Sequence, residues 1–194
     1  MGCGVLDSIS GETSADVTER PRWLLLAVRL NRERKVADGL QAKGFEVFLP
    51  MYAVRRQWSD RQKTYYAPLF PGYLLCRFAL TLTNTTLALS TIGVLPRERV
   101  GKLQPIPDSD IELLRRITAS HYPVECCDAL PQKSEIVEIA GDVTIRGVLV
   151  DRGAVCRVAI GFNAMGHTVA LRVPLDDLKR VEGPLTPHWS LNAL

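Results

Sequence analysis

The residues best suited to catalysis or metal binding are few and widely separated in this sequence. Its three histidines are His121, His167 and His188, and its five cysteines include no Cys-x-x-Cys pair. A catalytic triad or a zinc site would require several of these distant segments to meet. Cys126 and Cys127 are adjacent, but two small thiols in a connecting segment are a better interpretation than a redox pair, because no neighbour would activate them.

Two further patterns suggest chemistry only superficially. Residues 161–166, Gly-Phe-Asn-Ala-Met-Gly, resemble a phosphate-binding loop but lack the Lys-Ser/Thr ending and the following helix, so we predict a turn between strands. Asp108, Asp110 and Glu112 stand at the start of a predicted helix, where carboxylates complement the helix dipole. We therefore predict that the chain is not an enzyme and binds no cofactor or metal.

Length and composition bound the class of protein. The 194 residues, 46% of them hydrophobic, suffice for one large or two small domains with buried cores. Apolar runs are too short to span a bilayer, and the first residues lack the features of a signal peptide. We expect a cytoplasmic monomer with reduced cysteines and no contact with membranes.

Charge is distributed unevenly along the chain. Residues 20–120 contain 17 Lys and Arg against 8 Asp and Glu, whereas residues 1–19 contain four acids and no base. Residues 121–194 are slightly acidic, with 7 basic and 9 acidic side chains. The middle segment is therefore the one expected to attract phosphate backbones.

A proline-rich segment, Ala67 to Tyr73 (APLFPGY), is the most distinctive feature of the middle segment. Its two prolines lack amide donors and fix φ, which excludes a helix or a central strand and makes a rigid bend. The bend presents Leu69, Phe70 and Tyr73. These side chains either fill the local core or form an exposed contact surface.

The surrounding pattern predicts an α/β sandwich over residues 21–120, with an antiparallel sheet and flanking helices. Trp23 to Val28 is continuously apolar, as in a buried central strand. A helix follows, with Asn31 as a plausible cap. Residues 52–66 form a predicted hairpin with a basic tip, and a final helix covers residues 109–119.

The remaining segments have a different character. Residues 1–20 are predicted to be a disordered extension, residues 121–133 a linker, and residues 184–194 a disordered tail. Residues 134–183 contain short Val- and Ile-rich runs separated by glycines, which is typical of a small antiparallel barrel. The predicted fold class is therefore α+β, a sandwich followed by an SH3-like β-barrel.

The order and spacing of these motifs resemble the NusG family of transcription elongation and antitermination factors. The resemblance covers Trp23 to Ser120, the family's NGN domain, and more weakly Glu135 to Val181, its KOW barrel. It is closest to the specialised RfaH-like paralogues. It implies that the chain binds RNA polymerase, suppresses pausing and promotes antitermination, with specific operons as the expected targets.

The same resemblance implies which residues contact the polymerase. Those expected on its clamp helices are Leu69, Phe70, Pro71 and Tyr73. Those expected on its gate loop are Asn84, Thr85 and Thr86, although Asn84 replaces the histidine and Leu87 the last threonine of the paralogues' motif.

RfaH-like proteins also contact the non-template DNA strand through a basic helix face and a threonine-arginine pair. The residues expected to bind nucleic acid here combine that resemblance with the basic hairpin tip: Arg29, Arg32, Arg34, Lys35, Arg55, Arg56, Arg61, Lys63 and Thr91. Gly39, Ala42 and Ile92 replace a histidine and two arginines, so recognition of the same DNA element is not expected.

The role of the barrel stays open at this point. The family's Gly-Pro-Phe element is replaced by Gly141-Asp142-Val143, so the expected contact with a ribosomal protein or a termination factor is not assigned. RfaH hides its polymerase site under a helical form of this domain, whereas β-branched residues and glycines here predict no helical form. The alternative function is an RNA- or ribosome-binding KOW barrel without polymerase binding.

Overall fold

The computed structural model describes residues 20–57, 62–96, 103, 105–127, 135–140 and 145–181. Residues 1–19 of the predicted extension and the predicted tail lie outside these ranges. So do the tip of the predicted hairpin with Arg61, the side chains of Arg55 and Arg56, and the segment Gly141-Asp142-Val143.

The N-terminal part is the predicted α/β sandwich. Its four-stranded sheet consists of β1 (Arg22–Ala27), β2 (Glu46–Phe48), β5 (Tyr73–Phe78) and β6 (Pro105–Ile106), in the order β2-β5-β1-β6 with every neighbouring pair antiparallel. Strands β3 (Met51–Gln57) and β4 (Gln62–Pro68) form a separate hairpin. The helices are α1 (Glu33–Ala42), α2 (Leu82–Leu89) and α3 (Asp108–Ala119).

After Arg22, strand β1 is apolar at every position because both faces of the sheet are covered. Leu24 and Leu26 belong to the hydrophobic cluster that includes the buried face of α1. Trp23 belongs to a second cluster, with Ile111 and Leu114 of α3. Alternate residues of a strand face opposite sides, so a strand between two packed layers must be apolar at nearly every position.

Helix α1 buries the predicted residues Val36, Ala37 and Leu40. The predicted Asn31 cap is wrong, because Asn31 has a φ of 61° and Arg32 occupies the N-cap without a capping side-chain bond. Asparagine tolerates this left-handed conformation better than most residues. Asn31 therefore turns the chain into the helix rather than capping it.

The C-terminal part is a six-stranded antiparallel sheet, the predicted small barrel. Its strands are β7 (Val124–Cys127), β8 (Ile136–Ile139), β9 (Ile145–Asp151), β10 (Val155–Phe162), β11 (His167–Pro174) and β12 (Leu178–Arg180). They are ordered β12-β8-β9-β10-β11-β7. Residues 163–165 form a single 3-10 turn between β10 and β11, the turn predicted in place of a phosphate loop.

Strand β7 lies in the segment predicted as an interdomain linker. Residues 124–127 pair with residues 168–171 of β11, so this part of the segment is an edge strand of the barrel sheet. Just before it, Tyr122 is buried and its hydroxyl donates to Asp177 Oδ2 at 3.0 Å. Only a short connection therefore separates α3 from the barrel.

The proline-rich bend is held by backbone and carboxylate contacts. Leu69 N–H donates to the Pro50 carbonyl and Val28 N–H to the Gly72 carbonyl, each at 2.8 Å. Gly72 has a φ of 81°, which favours glycine. Its N–H donates to the buried carboxylate of Glu33 at 2.8 Å, which ties the bend to the start of α1.

We expect Glu33→Ala to lower the free energy of unfolding by about 1–3 kcal/mol, because it leaves the buried Gly72 N–H without an acceptor. Glu33→Gln keeps an acceptor oxygen and should cost less. The exposed Asp38 lies on the same helix, so Asp38→Ala is the control. Urea unfolding of the three variants measures the difference, and an equal loss for Asp38→Ala would contradict this role for Glu33.

Candidate functional site

The aromatic patch, which we define as Leu69, Phe70 and Tyr73, lies beneath the barrel. The Phe70 ring stacks on the His167 imidazole with centroids 4.9 Å apart and planes at 15°. The Tyr73 ring meets the same imidazole edge-on at 5.2 Å. Leu69 and Phe70 are 0% and 2% exposed, and Tyr73 is half-buried. The patch predicted to face a partner is thus covered by the chain's own second domain.

The contact extends beyond these rings. One continuous cluster of buried hydrophobic residues runs from the sheet and α3 into the barrel interior, with Phe70, Ile106 and Met165 among its members. The 3-10 turn at residues 163–165 lies against β6. Burial of each large apolar side chain contributes about 1.5–3 kcal/mol, so hydrophobic packing holds the two domains together.

The C-terminal domain covers the patch as a β-sheet structure, not in a helical form. A helical form was not expected from the sequence, and the residues described between 136 and 180 include no α-helix. What sequence reasoning missed is His167, which was considered only as one of three widely separated histidines and which begins β11. The local sequence pattern correctly predicted a turn between strands here. It could not predict that this turn packs against the N-terminal domain, because that contact depends on how the two domains are arranged.

The predicted gate-loop residues occupy α2. Thr81 accepts the Asn84 N–H at 3.2 Å and caps this helix, while Asn84 Nδ2 donates to the Ala79 carbonyl at 3.2 Å. Thr85 is half-buried and Thr86 is exposed. Thr86 is therefore the most exposed of the three predicted gate-loop residues.

Apolar side chains lie beside Thr86 on the same surface. Leu82 is 86% exposed and Leu87 is 40% exposed. Together with Thr83, Thr86 and Ser90 they line a shallow groove. This surface of α2 therefore combines hydroxyl groups with solvent-accessible apolar area.

Most of the described basic residues predicted to bind nucleic acid share an exposed location. Arg29, Arg32, Arg34 and Lys35 are exposed around the start of α1, and Lys63 is exposed on β4. Arg34 Nη2 lies 3.4 Å from the Tyr66 carbonyl oxygen, which brings α1 next to the hairpin. The structure thus places the exposed basic residues of α1 beside the hairpin that carries Lys63, and we call this region the basic surface.

Thr91 does not belong to this surface. It is 7% exposed, and its hydroxyl oxygen accepts from Lys43 Nζ at 2.8 Å. The same ammonium donates to the Leu87 carbonyl at 2.8 Å, at the end of α2. Thr91 therefore helps Lys43 join the ends of the two helices, and its burial argues against the predicted contact with nucleic acid.

Burial shifts the pKa of several groups. It lowers the pKa of His167 below its ordinary value, because desolvation disfavours the imidazolium. Burial raises the pKa of Cys76 to about 12, with a smaller effect of Glu46, so this core thiol stays protonated. Burial and the hydrogen bond to Asp177 raise the pKa of Tyr122.

Metal binding finds no support in the described ranges. Within them, no three His, Cys, Asp or Glu side chains are placed to share a metal ion. None of the described helices is long and apolar enough to cross a membrane.

Comparison with known proteins finds one family model that matches the N-terminal part of the chain. Residues 21–115 match the family model NusG, described as transcription termination factor NusG. The match covers the sandwich from just before β1 into α3. No curated protein matches the sequence. The KOW assignment of the barrel and the likeness to specialised paralogues remain predictions.

Two solved structures illustrate how far the similarity extends. A structure described as the domain interaction in Thermotoga maritima NusG is 18% identical, covers 84% of this chain and 98% of that chain, and has a TM-score of 0.52. A chain of the MjSpt4:Spt5 complex, in conformation A, is 14% identical over 82% of this chain and 97% of that chain, with a TM-score of 0.27. The first of these supports the fold.

In the structure the barrel is docked on the aromatic patch. This docking should weaken as the pH falls below the ordinary pKa of histidine, about 6.5. Because docking lowers the pKa of His167, the undocked state binds the proton more tightly, and acid shifts the equilibrium toward it. The amide NMR shifts of Leu69, Phe70, Gly72 and Tyr73 should therefore move toward those of fragment 20–120 between about pH 7.5 and 5.5.

His167→Phe is the control for this titration, because it keeps a ring but has no proton to bind. We expect its amide shifts to stay constant over the same range. A pH response of equal size in His167→Phe would assign the effect to another group.

Proposed function

We propose that the chain is a NusG-like transcription elongation factor that binds the clamp helices of RNA polymerase through Leu69, Phe70, Pro71 and Tyr73. The observation that carries this proposal is the rigid bend, which presents two aromatic rings that both contact the His167 imidazole of the second domain. Rigid aromatic side chains are effective interface anchors because they lose little conformational entropy on docking. The match of residues 21–115 to the NusG family supports the choice of partner.

The activity proposed is binding rather than catalysis. A factor that binds one conformation of the polymerase more tightly than another shifts the polymerase toward that conformation. Preference for the pause-resistant state would suppress pausing and promote antitermination. The hydroxyl surface of α2, with Thr86 exposed, is the proposed contact for the gate loop.

Polymerase binding and barrel docking compete in this proposal. Phe70 is 2% exposed in the docked state, so the polymerase reaches it only after the barrel has moved away. A ligand that binds one of two states shifts their populations according to its difference in affinity. The free chain is therefore inhibited by its own barrel, and release of the barrel accompanies binding.

The basic surface of α1 and the hairpin is proposed to contact the non-template DNA strand. Arg29, Arg32, Arg34, Lys35 and Lys63 are exposed there and able to pair with phosphates. Such contacts would add affinity without defining a sequence.

We expect Tyr73→Ala to weaken binding to a stalled elongation complex by about tenfold or more, because it removes a central aromatic anchor. Co-sedimentation with the complex measures this. The matched control is Tyr65→Ala, which removes an exposed tyrosine of β4 outside the bend. Equal binding by wild type and Tyr73→Ala would contradict the proposed interface and favour a barrel that binds RNA or ribosomes.

His167→Ala should act in the opposite direction and raise affinity for the same complex by about 2- to 10-fold, because loss of the ring contacts weakens barrel docking. Fragment 20–120 lacks the barrel, so its affinity for the complex sets the upper limit of this gain. Lys179→Ala, at an exposed position of β12, is the control and should not change affinity. A loss of affinity in His167→Ala would show that the barrel assists binding instead of competing with it.

A further inference from the structure

The sequence pattern of the proline-rich bend occurs a second time, after the barrel. Residues 68–73 read Pro-Leu-Phe-Pro-Gly-Tyr, and residues 184–189 read Pro-Leu-Thr-Pro-His-Trp. Both segments have the order Pro-Leu-x-Pro-x-aromatic, in which x is any residue. We call residues 184–189 the tail motif. The tail motif lies outside the described residues, but the contacts made by its counterpart in the bend are described.

In the bend, this pattern is the part of the N-terminal domain that packs against the barrel. Leu69 is buried and belongs to the hydrophobic cluster that continues into the barrel. The Phe70 ring stacks on the His167 imidazole with centroids 4.9 Å apart, and the Tyr73 ring meets it edge-on at 5.2 Å. A second segment with the same pattern therefore carries side chains suited to the same face of the barrel.

The tail motif keeps two of these three side-chain types. Leu185 stands where the bend has its leucine, and Trp189 stands where the bend has its tyrosine. Thr186 stands in place of Phe70, so the tail motif has no ring at the stacking position. Its two prolines restrict the unfolded segment, which lowers the entropy lost when the segment is ordered.

The barrel has an apolar face that needs a cover whenever the bend is absent. His167 begins β11, and Met165 in the preceding turn is buried in the cluster that includes Phe70. Release of the bend exposes this face to water, at a cost of about 25 cal/mol for each Å² of apolar surface. Methionine adapts to partners of different shape, so the face does not require the exact side chains of the bend.

The tail motif is attached to the domain that carries this face. The Val181 N–H donates to the Ile136 carbonyl at 3.2 Å, so the chain leaves directly from the barrel sheet. Trp189 is eight residues beyond Val181 in the sequence and can lie up to about 26 Å from it. A domain of about 50 residues is about 25 Å across. The tail motif can therefore reach the barrel face and moves with the barrel.

The bend has the advantage in the free chain. The buried Glu33 carboxylate accepts from the Gly72 N–H at 2.8 Å and holds the bend in shape before docking. The bend also supplies the Phe70 ring, which the tail motif lacks. The tail motif should therefore gain fewer contacts for the entropy it loses, and it should occupy the barrel only when another partner holds the bend.

We propose that the tail motif docks on the His167 face of the barrel when the bend is engaged elsewhere, and so competes with the bend for that face. The docked tail covers apolar surface that release of the bend exposes, and it delays redocking of the barrel. The occupant is thus a segment of this same chain. This inference goes beyond polymerase binding, because it concerns the barrel and its own tail.

Fluorescence anisotropy with a labelled peptide of residues 182–194 tests the proposal. The protein is the chain ending at Val181, which keeps every described element and removes the competing tail. Phe70→Ala and Tyr73→Ala together make the barrel face accessible in this protein. We expect the double variant to bind the peptide at least about tenfold more tightly than the same chain with an intact bend, because the bend occupies the site.

Changes in the peptide test the correspondence with the bend. Trp189→Ala should weaken binding to the double variant by about fivefold or more, because it removes the aromatic anchor. Thr186→Phe should strengthen binding by about 2- to 10-fold, because it restores the ring that stacks on His167. A peptide of the same composition in scrambled order is the control and should bind no better than the Trp189→Ala peptide.

Changes in the protein identify the face. His167→Ala, added to the double variant, should weaken peptide binding by about 2- to 10-fold. Lys179→Ala, at an exposed position of β12, is the matched control and should have no effect. Equal affinity with and without His167 would overturn the proposal. Peptide binding by fragment 20–120 of equal strength would also overturn it, because the tail would then dock on the N-terminal domain.

Two further results would overturn the proposal, namely no measurable binding of the peptide to a folded double variant and equal binding of the scrambled peptide. Thermal unfolding shows whether the double variant is folded. None of these measurements involves polymerase, so failure of the proposed function would leave their outcome unchanged.

The full chain with Thr186→Phe decides the question if the double variant misfolds. A stronger tail should displace the bend, so the amide NMR shifts of Leu69, Phe70, Gly72 and Tyr73 should move toward those of fragment 20–120. Thr186→Ala is the control and should leave these shifts unchanged. Unchanged shifts in Thr186→Phe would show that the tail does not compete with the bend.

Discussion

The packing of the His167 imidazole against Phe70 and Tyr73 is the interaction on which the arrangement of the two domains depends. It closes the barrel over a bend that is itself rigid, held by the buried Glu33 carboxylate and by backbone hydrogen bonds. A rigid surface changes little when its cover leaves. The same aromatic groups can therefore serve the barrel in one state and a partner in another, because each occupant excludes the other.

The short connection between the domains keeps the barrel close to the patch during such an exchange. Strand β7 belongs to the barrel sheet although it follows α3 closely, and Tyr122 is bonded to Asp177 of the barrel. A barrel that leaves the patch can retain β7 and remain tethered, so its effective concentration near the patch stays high. Redocking is then intramolecular, and a partner must compensate for the hydrophobic area exposed during release.

Much of the sandwich and its bend could be predicted from local chemistry. The apolar run of β1 indicated a strand covered on both faces, and the prolines of the bend excluded regular structure. Other features could not be read this way. Strand β7 exists through its pairing with β11, which is distant in sequence. Thr91 is buried where its hydroxyl accepts from Lys43, a residue just after α1 and 48 positions away. The role of His167 required the arrangement of two domains.

Hydrogen exchange on the full chain, alone and bound to a stalled elongation complex, tests most directly whether barrel and polymerase compete for the aromatic patch. We predict that the amides of Leu69, Phe70, Gly72 and Tyr73 stay protected on binding, because the polymerase replaces the barrel there. Amides of residues 163–169 should lose protection as their contact with the patch is released. Undiminished protection of residues 163–169 in the bound state would contradict the account, because the barrel would then still cover the patch.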